Sequence, residues 1–362
     1  MSKARELANL GNAYSDGALS NRNKIINGAM TIDQRNGGSA VTNANGYITD
    51  RWTVGRYGPN GGSYTAQQVT DAPSGFKNSL KLTTTAVPSL NSDQYFQMFQ
   101  PIEGYNIADF SFGSADAATF TFSFWVKSSL TGTFCVAFTN NQATTRSYVV
   151  TYTINAADTW EHKTVTVAGD TSAVGNWGDT NGQGLTVFFD IGSGTAQEAS
   201  AANNWETGNF RRIAGAVRII ETSGATFQIT GVQLEVGDTA TPFEHRSYGQ
   251  ELALCQRYYS VIGGGSYVGI DVGQQFSTTG SIHGIQYPVP MRTSPSVSFD
   301  NLIATDRTIF DETLTGFSVV TAGASSAYIR TVWGTSRGAV GNAVLLAIRN
   351  GYAGGIKFDA EL

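Results

Sequence analysis

Residues Thr119–Lys127 read TFTFSFWVK, and this stretch constrains the backbone more than any other. Phe120, Phe122, Phe124 and Val126 alternate with Thr121, Ser123, Trp125 and Lys127. A period of two places the first set on one face of an extended strand and the second set on the other. Such a strand needs neighbours for its backbone polar groups and a second layer over its apolar face. The pattern recurs at Phe134/Val136/Phe138, Tyr148/Val150/Tyr152/Ile154, Val165/Val167, Leu185–Ile191, Val217/Ile219 and Phe227–Val236. Gly-, Asn-, Ser- and Thr-rich turns separate these runs. Many short alternating strands predict a jelly-roll-like β-sandwich of two antiparallel sheets over residues 25–246. No repeat of 20–50 residues is visible, which argues against a solenoid or parallel β-helix.

The chain has 362 residues, room for two domains. Hydrophobic residues make up 41% and charged residues 14%, with 42 Gly, 20 Phe and 15 Tyr. A disordered chain would be rich in charge and poor in aromatics. Net charge is −5, and no Lys/Arg run supplies the footprint of a nucleic-acid binder. No stretch approaches the roughly 20 apolar residues of a membrane helix. The opening MSKARELANLG lacks a signal-peptide core, so synthesis in a cytosol without a secretion address is expected. Cys135 and Cys255 fall in different expected domains and read as buried thiols.

The two ends and the middle depart from the sandwich pattern. Ser2–Leu10 can form about two helical turns stopped by Gly11, too short to be stable alone. With the polar stretch after it, this defines an N-terminal segment over residues 1–24. Ser247 and Gln250 have capping-box spacing and start a linker helix over 247–260. Tyr248, Leu252, Cys255 and Tyr259 lie at steps of four, three and four, so one helix face is expected to carry all of them. Residues 261–362 form a second, smaller β unit, expected to be a sandwich. Its strand candidates are Tyr267–Ile270, Phe276–Ile282, Tyr287–Met291, Val297–Phe299, Phe317–Val320, Tyr328–Trp333, Val344–Ile348 and Ile356–Leu362. Pro288 and Pro290 cannot donate ladder hydrogen bonds, which puts their segment at a sheet edge or strand end. The fold class is therefore all-β: a sandwich, a linker helix and a smaller C-terminal β unit, behind a short N-terminal helix.

Several stretches in combination are specific. They are ITGVQLEVGDTATPFEHRSYGQELALCQRYY at Ile229–Tyr259, NKIINGAMTIDQRNGG from Asn23, the triplet Asp50-Arg51-Trp52, YPVPMRTSPSVSF from Tyr287, and the terminal FDAEL. Together they resemble phage tail-fibre and related virion structural proteins, in which a carbohydrate-binding-like sandwich is joined to a small C-terminal β domain. The resemblance covers about residues 20–362. It implies a homotrimer in the virion tail, made in the host cytoplasm and binding host-surface glycan. It also implies docking through the N-terminus to other tail or baseplate proteins, where Lys3, Arg5, Leu7 and Leu10 would make the contacts. For Asp50-Arg51-Trp52 the expected role is structural, with Trp52 in the core and the charged pair fixing a loop.

No catalytic constellation is legible. His162, His245 and His283 have no metal-ligand spacing, and each reads as a surface or packing residue. P-loop and dinucleotide fingerprints are absent, and Gly263–Ser266 reads as a hinge. Asp179, Asp190 and Glu206 lie within the sandwich, but sequence sets no distance between two acids, so hydrolysis is unsupported. Catalysis, cofactor and metal are therefore not expected. Binding is another matter. Trp125 points away from its Phe neighbours, and Trp177 and Trp205 sit in GNWGDTNGQG and AANNWETGN loops. Asp190 shares the outer face of its strand with Phe188 and Thr186. Trp125, Trp177, Asp190 and Trp205 form the expected carbohydrate-binding set. A glycan-degrading enzyme would instead need two acids across a groove, and a purely structural adaptor would bury the tryptophans under neighbouring subunits.

Overall fold

The computed structural model describes Lys3 and residues 21–58, 61–140, 144–306 and 311–362. Lys3 is exposed; Arg5, Leu7 and Leu10 lie outside the described residues. The chain divides into two compact units, one ending at Glu251 and one spanning Leu252–Glu361.

The first unit is a jelly-roll-like sandwich of two antiparallel sheets. One sheet has six strands, in the order Val41–Thr42, Ser63–Val69, Ser79–Ala86, Thr226–Val236, Phe120–Ser128 and Glu161–Val167. The other has seven: Trp205–Thr207, Arg146–Ile154, Gly132–Thr139, Gln183–Ser193, Tyr95–Glu103, Trp52–Tyr57 and Gly46–Thr49. The alternation seen in the sequence supplies the core. Phe120, Phe122, Phe124 and Val126 are fully buried, and across the interface lie Phe134, Val136, Phe138, Val187, Phe189 and Ile191. The Phe124 and Phe189 rings meet edge to face, 5.0 Å apart, a favoured aromatic geometry. Strand Thr226–Val236 is broken by a bulge after Thr230, where Gly231 takes φ +59°. A Cβ there would stand 2.6 Å from Phe76 Cζ and 3.0 Å from Trp125 Cδ1, so only glycine lets those rings close over the bulge.

Asp50-Arg51-Trp52 is structural. Trp52 is buried and donates its indole N–H to the Asn27 carbonyl at 3.1 Å, and Arg51 donates to the Pro101 carbonyl at 2.5 Å. The Asp50 carboxylate accepts the Gln34 backbone N–H at 2.6 Å. One expected strand is absent: Val217 and Ile219 lead into a 3₁₀ turn at Ile219–Glu221.

The helix spans Tyr248–Gln256. Its capping box forms, with Gln250 N–H to Ser247 Oγ at 3.4 Å and Ser247 N–H to Gln250 Oε1 at 3.1 Å. The four-residue stripe does not form one helix face. The chain leaves the helix after Gln256, so Tyr259 opens a strand, and Tyr248 is exposed.

In the second unit six strands close into a barrel, in the order Gly269–Ser277, Gly280–Gln286, Ser326–Trp333, Asp311–Ala322, Leu302–Thr305 and Ala343–Ile348. A three-stranded sheet, Tyr259–Gly264, Gly354–Asp359 and Ser296–Asp300, shares its core through Ile356 and Phe358. The smaller β unit thus divides its strands between a barrel and a sheet, because pairing of Gly269–Ser277 with Ala343–Ile348 removes the free edges that would otherwise remain. Phe276–Ile282 spans a hairpin turn rather than one strand, and Tyr287–Met291 with its two prolines stays outside the ladders. Both cysteines are buried, and neither forms a disulfide.

Candidate functional site

The outer face of the seven-stranded sheet carries an aromatic strip. Trp52 and Val54 point into the core, so Thr53, Gly55 and Tyr57 point out. On the neighbouring strand Phe96 and Met98 point in, and Tyr95, Gln97 and Phe99 point out. The register sets Tyr57 opposite Tyr95, Gly55 opposite Gln97, Thr53 opposite Phe99, and Phe99 opposite Phe188 on the next strand. Two stacked pairs result: Tyr57–Tyr95, centroids 5.8 Å apart and 22° between planes, and Phe99–Phe188, 5.0 Å and 29°. Tyr57 is 54% exposed, and Tyr95 and Phe99 are half-buried. Between the pairs Gly55 lets the Phe99 ring and the Gln97 side chain pack down onto its backbone. A Cβ there would lie 2.9 Å from Phe99 Cε1 and 3.4 Å from Gln97 Nε2.

A segment running from Glu198 to Val217 covers the rest of this face. Ala199, Phe210 and Ile213 pack on a separate small apolar cluster of Cys135, Ala137, Val149 and Phe188. Burial pushes the Cys135 thiol up to about 12, so it stays a packed thiol. The Arg211 guanidinium lies 3.8 Å over the Phe188 ring, in cation–π contact. Its Nε donates to Gln97 Oε1 at 3.4 Å and Nη1 to the Phe210 carbonyl at 3.0 Å, and Nη2 donates to Asn209 Oδ1. Planar aromatic faces flanked by amide, guanidinium and phenol groups can stack on apolar surfaces and bond hydroxyls at the same time.

The sequence-expected residues fall in three places. Asp190 does share the outer face with Phe188 and Thr186, but its expected reach to a sugar hydroxyl is corrected. It is 2% exposed, ion-paired with Arg212 at 3.3 Å and hydrogen-bonded by Ser193 Oγ, because the covering segment lies over it. Burial raises its carboxyl to about 6, against the pull of Arg212. Trp177 and Trp205 come together at the sandwich end, 5.4 Å apart and nearly perpendicular, with Phe112 at 4.5 Å from Trp177 and Tyr148 at 5.2 Å from Trp205. Both pack on the main core, and Trp205 donates its N–H to the Ala168 carbonyl at 2.7 Å. Beside them Arg146 grips Asp170 through two bonds of 2.8 Å, fixing the loop that carries Trp177. Glu206 accepts from Ser200 Oγ and the Ala201 N–H, which holds its carboxyl low and staples its own loop. Trp125 lies on the outer face of the opposite sheet, half-buried between Phe76 and the His162 ring at 5.2 Å. Nearby, Trp160 donates to Asp71 at 3.2 Å.

Sequence reasoning passed over Tyr57, Tyr95, Phe99 and Arg211. A signal existed for Tyr57, which continues the Trp52/Val54 alternation on the other face. The adjacent Tyr95-Phe96 hides the parity of its strand, and register between distant strands has no local signature.

In the second unit His283 is buried in the barrel, Nε2 to Ser281 Oγ at 2.8 Å and Nδ1 to Asp271 Oδ2 at 3.2 Å. Gly273 makes room for its ring, since a Cβ there would be 2.5 Å from Nδ1. Ser281 is fully buried, which makes this a packed polar network within the barrel. Among the described residues no cluster of three or more His, Cys, Asp or Glu is placed to hold a metal ion.

The fold and this face define an all-β chain with a sandwich whose outer surface offers aromatic and hydrogen-bonding groups side by side. No protein-family model matches the sequence, and no curated protein matches it. Among solved structures, the chain is similar to the enzymatically active domain of tailspike protein 4 from bacteriophage CBA120, with 13% identity and TM-score 0.31, over 60% of this chain and 22% of that one. It is similar to a family 11 carbohydrate-binding module from Clostridium thermocellum in complex with a mixed-linked tetrasaccharide, with 11% identity and TM-score 0.29, over 57% and 98%. A third is a family 61 carbohydrate-binding module in complex with β-1,4-galactotriose, with 11% identity and TM-score 0.26, over 60% and 99%. These overlaps are partial and assign no function.

Proposed function

We propose that this chain is a glycan-binding structural protein of a phage particle, a tail fibre or fibre-like tip without catalysis of its own. One observation carries the binding half: the half-open Tyr57–Tyr95 pair, in register with Gly55 and Gln97 and continued by Phe99–Phe188. A pyranose ring has an apolar C–H face and a rim of hydroxyls. The exposed Tyr57 ring suits the first, and the exposed Asn209 and the phenols suit the second. Trp125 and the Trp177/Trp205 cluster act mainly as anchors in this reading, since each packs against neighbouring rings. The phage half rests on the sequence resemblance of Ile229–Tyr259 and the motifs around it. Three copies on one particle would multiply weak contacts with a repetitive glycan.

Purified protein incubated with host-surface polysaccharide tests this directly. Retention on the polysaccharide with its chain length unchanged is the expected result, together with a light-scattering mass of three times 38.5 kDa. Shortening of the polysaccharide would make the protein an enzyme. Absence of retention would make it an adaptor that never touches the host.

A further inference from the structure

Two arginines, Arg211 and Arg212, come from the segment lying over the seven-stranded sheet, and Arg218 follows directly after it. Arg212 meets Asp190 at 3.3 Å and Glu198 at 3.4 Å, and Arg218 meets Glu198 at 3.4 Å and Glu221 at 3.6 Å. Arg211 differs. It is 4% exposed, and its hydrogen bonds among the described residues go to neutral acceptors; the Asp190 carboxylate acts on it only through space, being ion-paired with Arg212. A guanidinium has five N–H donors. Three are donated to Gln97, Phe210 and Asn209, which leaves two.

Taking a cation out of water without a counter-ion is costly, and buried charges are ordinarily paired. Its two neighbours show that this face supplies carboxylates where they are wanted. The arginine bonded only to neutral groups borders the aromatic strip. Phe188 beneath it stacks on Phe99, and its Nε partner Gln97 sits opposite Gly55, between the two aromatic pairs. Tyr95 and Phe99 are four residues apart on one strand, about 14 Å. A ligand of two or three sugar units lying on Tyr57 and Phe99 would therefore pass Arg211. Burial lowers the guanidinium to about 9, which leaves it a cation at neutral pH.

We propose that Arg211 is the anion-recognition point of this face and that the saccharide bound there is acidic, carrying a carboxylate or phosphodiester beside the ring that stacks. The fixed planar fork matches two oxygens of either group. This inference rests on the glycan-binding reading above.

The test is calorimetric titration of the full-length chain with oligogalacturonate, with its methyl ester, and with a glycerol-phosphate oligomer. The acid should bind on the order of tenfold tighter than its uncharged ester. That advantage should shrink as salt is raised, a comparison that needs no variant. Arg211→Gln should abolish the acid-over-ester ratio, which is read within each variant against its own ester affinity, and Arg211→Lys should restore part of it. Tighter binding of the glycerol-phosphate oligomer than of the uronate would assign the anion as a phosphodiester. Equal affinity for acid and ester would overturn the inference and leave the glycan reading intact. Binding of a neutral host polysaccharide but none of the three probes would do the same. No binding to any saccharide would overturn both.

Discussion

Truncating Tyr57 to Ala separates a binding ring from a packing ring. The side chain is 54% exposed. A fully covered aromatic buries about 150–250 Å², so on the order of 100 Å² of Tyr57 is left for a ligand. At about 25 cal/mol per Å², covering it is worth about 2.5 kcal/mol at most. Ordering the sugar and the ring takes back part of this. The expected loss is about 1–2 kcal/mol, roughly five- to thirty-fold in affinity. The cost to the fold is smaller. The variant forfeits the stack with Tyr95 at 5.8 Å, about 1 kcal/mol, which lowers the melting temperature of a unit this size by about 2–4 °C. Titration calorimetry against host polysaccharide, with a thermal melt on the same sample, reads both quantities. An unchanged affinity with an unchanged melt would refute the assignment of this face.

Trp205→Ala should do the opposite. It removes contacts with Trp177 and Tyr148 and the bond to Ala168, and should cost about 2–3 kcal/mol in a denaturant melt with glycan affinity unchanged. A tenfold loss of affinity in a fully folded sample would return Trp205 to the binding surface. Asp190 gives a pH signature. Its folded carboxyl titrates near 6 and its unfolded one near 3.8, so between those values the folded chain holds the extra proton. Stability from this group is therefore greatest below pH 3.8 and falls as pH rises to about 6, by about 3 kcal/mol. Asp190→Asn should remove that slope, and identical slopes in wild type and variant would contradict it. His283 works in the other direction. Burial holds its folded pKa below the ordinary 6.5, with Asp271 opposing, so the unfolded chain binds more protons there. Stability of the second unit should fall as pH drops through 6.5 toward the folded value, and His283→Gln should flatten that fall in urea melts at pH 7 and pH 5. A wild-type midpoint equal at the two pH values would show that the ring is not held neutral.

Much of the fold was legible because its causes are local. The inward face of Phe120–Ser128, the cap formed by Ser247 and Gln250, the buried Trp52 and the two buried cysteines all follow from backbone geometry and side-chain chemistry within a few residues. Local failures have local causes too. Tyr259 left the expected helix face because the helix ended after Gln256, and Val217/Ile219 turned into a 3₁₀ segment. The candidate site was hidden for a different reason. Sequence alone gave Asp190 its strand face, but the segment carrying Arg211 and Arg212 decided whether that face met solvent or a guanidinium. Tyr57, Tyr95, Phe99 and Phe188 became one strip only when three strands, spread over more than a hundred residues, paired in one register. Alternation is written residue by residue, because successive Cβ atoms must point to opposite sides of a strand. Register and cover are set by burial summed over the whole unit, and no short stretch of sequence contains that sum.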